Sequence, residues 1–187
     1  MGGSWKILPW LGAAVLAACG GRHPVNGPTP AEAQKPPEHV LNTMILAGQK
    51  IPVLPITMVV AAPELAGDSA YGQLRSHRIS LLWADSIIGE GLQTHASEVN
   101  WILPPELRKV ARRSPGIVPD PDQMGQSVMR SPKLDRAPGQ LAAGLRGLIA
   151  VAGGRNVLIP AALGLARADS TRVRADLSLV LLDGRGN

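Results

Sequence analysis

A chain with no phenylalanine must build its core from aliphatic side chains. Of the 187 residues, 45% are hydrophobic but only 3% are aromatic, four Trp and one Tyr. Leu, Val, Ile and Ala therefore have to fill the interior. A chain of this length fits one domain and can bury a core without disulfides or metals. The 21 Gly and 17 Pro break it into short elements, at a level below that of chains disordered throughout. The net charge of +5 comes mostly from scattered Arg and permits contact with anionic surfaces. With so little to stack bases on and no RNP-like pattern, a nucleic-acid partner is not expected.

The single cysteine, Cys19, excludes an internal disulfide and belongs to no CxxC pair. Its position is informative. The chain opens MGGSWKILPWLGAAVLAACGG, with Lys6 as a short positive region and Ile7 to Ala18 as an apolar stretch. That stretch falls short of the roughly 20 apolar residues a spanning helix needs. Positive start, apolar middle and small residues at the end are the pattern of a secretory signal. Leu16-Ala17-Ala18-Cys19 resembles the lipobox of bacterial lipoproteins. The resemblance covers about the first 21 residues. It implies cleavage after residue 18, diacylglycerol on the Cys19 thioether and an acylated new amino group, with palmitate among the chains. Several acyl chains at ~0.8 kcal/mol per buried CH₂ make a stable anchor. Gly20, not Asp, follows the cysteine. By the sorting rule of Gram-negative lipoproteins, the resemblance implies the outer membrane, with the domain facing the periplasm.

Residues 19–48 then read as a Pro- and Gly-rich tether, extended at Pro24, Pro28, Pro30, Pro36 and Pro37. The folded domain is expected over 49–187. The run IPVLPITMVVAA, 51–62, predicts a buried strand. Pro52 and Pro55 each remove a ladder donor, so the strand either starts after Pro55 or places its first half on a sheet edge. Residues 63–77 predict a polar loop. Leu81, Leu82, Asp85, Ile88 and Leu92 predict a helix over 79–95, and Val99 to Leu103 a short strand. Pro105 opens a helix ending near Arg113, and Asp120 or Asp122 caps a short one through Met129. The clearest helix runs from Pro138 to Ala152, with Leu141, Leu145, Leu148 and Ala152 in one stripe and Gly153-Gly154 as its stop. Asn156 to Ala161 predicts a buried strand. Arg172 to Leu182 alternates, with Val173, Ala175, Leu177, Leu179 and Leu181 on the core side. The turn residues after Asp183 suggest a further hairpin strand, as if the domain lacked a C-terminal strand.

Strands interspersed with helices, then a terminal meander, predict an α/β fold, a small sandwich with a mixed sheet packed against helices. Over roughly 50–187 this order resembles small α/β domains of periplasmic envelope proteins, such as the N-terminal domain of TolB or the lipoprotein activators of peptidoglycan synthases.

No catalytic constellation stands out. There is no GxSxG elbow, HExxH, Walker or dinucleotide motif. His23 and His39 fall in the tether and His77 in the polar loop; His95 with Glu98 supplies two metal ligands without an evident third. No metal or cofactor is expected. Asp120 and Asp122 sit in an Asp-Pro repeat that reads as turn and cap chemistry. Arg108, Lys109, Arg112 and Arg113 form a candidate anion or membrane-surface patch on a helix, where cations near a C-terminus are also favoured by the dipole. Trp101 is expected to pack in the core. The expectation is a non-enzymatic, lipid-anchored envelope protein whose domain is an interaction or assembly module with an envelope protein partner. A periplasmic hydrolase or glycan-processing enzyme would need a cleft joining Glu98, His95 and one of the aspartates. A ligand-binding lipoprotein would need a deep apolar pocket.

Overall fold

The apolar run 51–62 does not form one strand. The structure, a computed structural model that describes residues 43–184 except 132 and 135, divides it into β1 (Lys50–Pro52) and β2 (Val59–Ala61). β1 pairs in parallel with β3 (Asn100–Ile102), and Val53 adds a parallel bridge to Leu158 of β4 (Asn156–Arg167). β2 pairs in parallel with β4 further along, Val59 opposite Leu163. Both halves of the run thus border β4, and β1 lies between β3 and β4, not at an edge. The interruption spans 54–58. It is bounded by the Leu54 N–H to Leu158 C=O bond (2.9 Å) and the Leu163 N–H to Met58 C=O bond (3.0 Å). Pro55 has no N–H to donate at this point, and β4 has its own irregularity between Pro160 and Ala162.

β5 (Val173–Asp183) runs antiparallel to β4 along its whole length and completes a mixed three-stranded sheet in the order β2-β4-β5. The fold is α/β, with helices packed on this sheet. The C-terminal strands are present: the last strand finds its partner in the one before it.

Three aliphatic clusters form the core. α4 (Gly139–Ala152) lays Leu141, Leu145 and Leu148 against Leu54, Val157 and Ile159. α2 (His77–His95) sets Ala84 and Ile88 against Ile56, Leu163 and Leu165. Ile51, Val53, Val99 and Leu158 form the third, with Trp101 packed on it. The Trp101 Nε1–H donates to the Ala96 carbonyl (2.9 Å), so the ring serves the core as the sequence suggests. α3 (Pro104–Arg113) buries Pro104 and Leu107.

Several expectations need correction. Residues 63–77 are not a loop: they form α1 (Pro63–Ala66) and a 3₁₀ segment over Ser69–Arg75, and His77 opens α2. The expected helix through Met129 is two 3₁₀ turns, Pro121–Gln123 and Gln126–Arg130, separated by Gly125 at φ +77°. β4 continues to Arg167, beyond Ala161. Part of the expected tether is structured: residues 43–46 form a 3₁₀ turn whose Thr43 hydroxyl donates to the Glu98 carboxylate. On β5 the predicted core face is largely uncovered: Ala175, Leu177 and Leu181 are exposed, while Leu182 on the other face is buried. The strand forms where expected, but its burial does not alternate: residues 174–178 are exposed on both faces, so the layer that would cover the predicted core face is incomplete. Cys19, the signal segment and most of the expected tether lie outside the described residues.

Beyond α4 the chain reverses through Gly153 and Gly154, both at positive φ (+84° and +98°). A Cβ on Gly154 would collide with the Lys50 carbonyl oxygen, so the reversal passes against β1 too closely for any side chain. Gly154→Ala combines left-handed strain of about 1–3 kcal/mol with that collision. We expect a drop in thermal midpoint well beyond that of Gly91→Ala, whose Cβ meets open space on a helix. Paired thermal denaturation curves check this.

Candidate functional site

The charged side chains converge where the strand is interrupted. Ile56 donates its N–H to Asp85 Oδ1 of α2 (2.9 Å), not to a strand. The Pro55 carbonyl accepts from Gln126 Nε2 (3.3 Å), which also donates to the Pro121 carbonyl (2.9 Å). Gln126 is 1% exposed, so both of its contacts are sheltered from water. Two side chains thus stand in for the missing ladder partners, as buried backbone polar groups require. Thr57 Oγ1, inside the same interruption, is buried and has no hydrogen-bond partner among the described residues.

Arg108 of α3 locks this arrangement. Its Nη2 donates to Asp85 Oδ2 (3.2 Å), and its Nε and Nη2 grip both oxygens of Asp122 (2.8 and 2.7 Å). The fork geometry of guanidinium suits such a double grip. Asp120 accepts the Asp122 N–H (3.1 Å), capping the turn that presents Asp122. Burial pushes the Asp85 carboxyl above its ordinary value, against the pull of the Ile56 N–H and the Arg108 guanidinium. The Arg108 hydrogen bonds hold Asp122 below the ordinary carboxylate value. Hydrogen bonding to Asp122 also raises Arg108 further, so it stays protonated.

Two clefts flank this cluster. One, of about 410 Å³, is lined by Ile56, Arg78, Leu81, Asp85 and Arg108; the other, of about 310 Å³, by Arg108, Arg112, Val118, Asp120 and Asp122. Arg108 engages both Asp85 and Asp122, so neither of these two carboxylates faces the clefts without a cation beside it. The evident work of the cluster is to hold α2, α3 and the 3₁₀ turns on the broken strand.

The basic patch is divided by this geometry. Arg108 is half-buried and neutralised, whereas Lys109, Arg112 and Arg113 are exposed and make no hydrogen bond or ion pair to the described residues. His95 and Glu98 do not join the aspartates: the clefts lined by Asp120 or Asp122 contain neither. Glu98 instead accepts from Thr43 and, through its carbonyl, from the Gly48 N–H (2.8 Å). That side-chain hydrogen bond lowers its carboxyl. Among the described residues no group of three or more His, Cys, Asp or Glu is placed to hold a metal, and no helix is long and apolar enough to cross a membrane.

An almost wholly apolar groove of about 400 Å³ lies between α2 and the outer part of the sheet. Trp83, Ile87 and Leu92 form its helix side; Leu163, Ala175 and Leu177 form its sheet side. It is an open trough, not an enclosed pocket, since Ile87 is 44% and Leu177 39% exposed. Sequence reasoning missed it because Leu177 reads as a core position. No family model, no curated protein and no solved structure matches this chain.

Removing the Asp85 carboxylate strands both the Ile56 N–H and part of the Arg108 charge. Asp85→Ala should cost about 3–5 kcal/mol, in the range for breaking a buried ion pair, whereas Asp85→Asn keeps an acceptor for Ile56 and should cost less. Denaturant titration measures both. Asp122 has a folded value below its ordinary 3.8, so its contribution is present above 3.8 and is lost as pH falls through the lower value. Asp122→Asn should therefore flatten the acid limb of the stability–pH curve.

Proposed function

We propose that this chain is a lipid-anchored protein of the bacterial cell envelope, held by Cys19, whose α/β domain serves as an interaction or assembly module. The lipobox-like Leu16-Ala17-Ala18-Cys19 supports the anchor, and the apolar groove between α2 and β5 carries the module reading. Exposed apolar surface beside a sheet edge is what docking partners use. Such a trough costs solubility unless something covers it. On this reading the anchor is in the outer membrane, and the domain faces the periplasm.

The membrane is the first partner. Lys109, Arg112 and Arg113 on α3 present exposed positive charge, unpaired among the described residues, that suits anionic head groups. A protein of the envelope is the second, seated at the groove.

The test begins with Cys19→Ser. The unaltered chain should incorporate labelled palmitate and sediment with membranes, and the variant should do neither. Labelling that persists in the variant, or unaltered chain recovered without membranes, contradicts the anchor. Crosslinking in cells should then trap a defined envelope protein through a photoreactive residue at Ile87 but not at Arg146 on α4. Charge reversal at Arg112 and Arg113 should weaken binding to anionic vesicles, more at low salt than at high.

A further inference from the structure

Among the described residues, β5 has a neighbouring strand on one side only. The hydrogen bonds fix which of its backbone groups face the open side. The Leu163 N–H donates to Met58, and the Leu165 carbonyl accepts from Ala62, so Leu163 and Leu165 point towards β2. Ala162, Gly164 and Ala166 therefore point towards β5, where their register partners are Ser178, Asp176 and Arg174. Val173, Ala175 and Leu177 accordingly aim their N–H and C=O groups outwards. A strand edge of this kind is a template for another strand.

We propose that the open side of β5 pairs with β5 of a second copy of this chain. The strands run antiparallel about a two-fold axis through Ala175, joining two three-stranded sheets into one of six. The inference rests on reading this side of the domain as an interaction surface, and names its occupant.

Charge selects the register. Antiparallel pairing centred on Asp176 would set that carboxylate against its own copy, and pairing centred on Arg174 would oppose two guanidiniums; like charges directly opposite are destabilising. Centring on Leu177 sets Arg174 against Val180 and Asp176 against Ser178. Only the register centred on Ala175 places each Arg174 opposite Asp176 of the second copy, twice by symmetry. These are non-hydrogen-bonded positions, where side chains approach most closely. Within one chain Arg174 already pairs with Asp176 (3.0 Å), so pairing makes an alternating ring of four charges. The outward residues then form about six backbone hydrogen bonds.

The groove fits the same arrangement. Val173, Ala175 and Leu177 line it, so it lies on the face of β5 opposite Arg174 and Asp176. A two-fold axis perpendicular to the sheet keeps α2 of both copies on one face. The open side of each groove, marked by exposed Leu177 and Ile87, then meets its counterpart across the joined strands.

The test uses the full chain with Cys19→Ser, which removes the only thiol. Sedimentation velocity over a concentration series should show a monomer–dimer equilibrium. R174D and D176R should each weaken the dimer about tenfold, by turning two attractive cross-strand pairs into repulsive ones. Mixing R174D with D176R should restore association between the two variants, a rescue that the pair within one chain would not give, because each variant still lacks it. In the same background Ala175→Cys should form a disulfide-linked dimer on oxidation, because opposed Cα atoms about 5.5 Å apart lie within disulfide reach. Arg146→Cys on α4 should not. A chain that stays monomeric at every concentration overturns the proposal, as does a dimer indifferent to both single charge reversals or equal crosslinking at 146 and 175. If the chain is monomeric but a defined envelope protein is still trapped through Ile87, this inference fails while the interaction-module reading stands.

Discussion

One carboxylate, that of Asp85, takes the place of a missing strand. Pro55 interrupts the ladder beside β4, and the backbone on either side of its peptide bonds must find partners inside the protein. The Ile56 N–H finds Asp85, and the Pro55 carbonyl finds Gln126. Arg108 and Asp122 then fix Asp85 in turn. This chain of contacts draws α2, α3 and the 3₁₀ turns of 121–130 onto the interruption, so these elements are positioned by the defect in the sheet. A continuous strand would satisfy its own backbone and need none of these side chains.

That dependence explains what sequence reading could reach. The leucine stripe of α4 and the glycines that end it are local signals, and they are legible to within a residue. The Pro-rich run 51–62 announced a defect without saying how it is repaired, because the repair comes from residues far along the chain. Asp85 was visible as a carboxylate inside an apolar helical stripe, and that misfit was the available signal. Arg108 carried a misleading one. Its spacing with Lys109, Arg112 and Arg113 suggested a continuous basic face, but Asp85 and Asp122 withdraw it from that face, and no local pattern reveals such distant partners. The short turns at 69–75 and 121–130 were hard to read because Gly72 and Gly125 permit several local conformations.

The alternating pattern of β5 was legible, but its surroundings were not. Periodicity reports which residues share a face; it does not report whether a layer covers that face. Leu177 and Ala175 belong to a core-like stripe and yet border an open trough. The same trough is the observation on which the proposed interaction module rests. An anchor at Cys19 would add a second constraint, by confining such a surface to the neighbourhood of a membrane and raising the local concentration of its partners.

The repair of the broken strand is tested most directly by amide hydrogen exchange of Ile56, followed by NMR under native conditions. An N–H held by a buried carboxylate exchanges only when the structure opens. The account predicts that Ile56 is protected to the same degree as Leu54 and Leu163 at the two ends of the interruption. In Asp85→Ala it should lose that protection while Leu163 keeps its own. An Ile56 amide that already exchanges at the rate of an exposed loop in the unaltered chain would contradict the account, because the interruption would then be an open gap that Asp85 does not close.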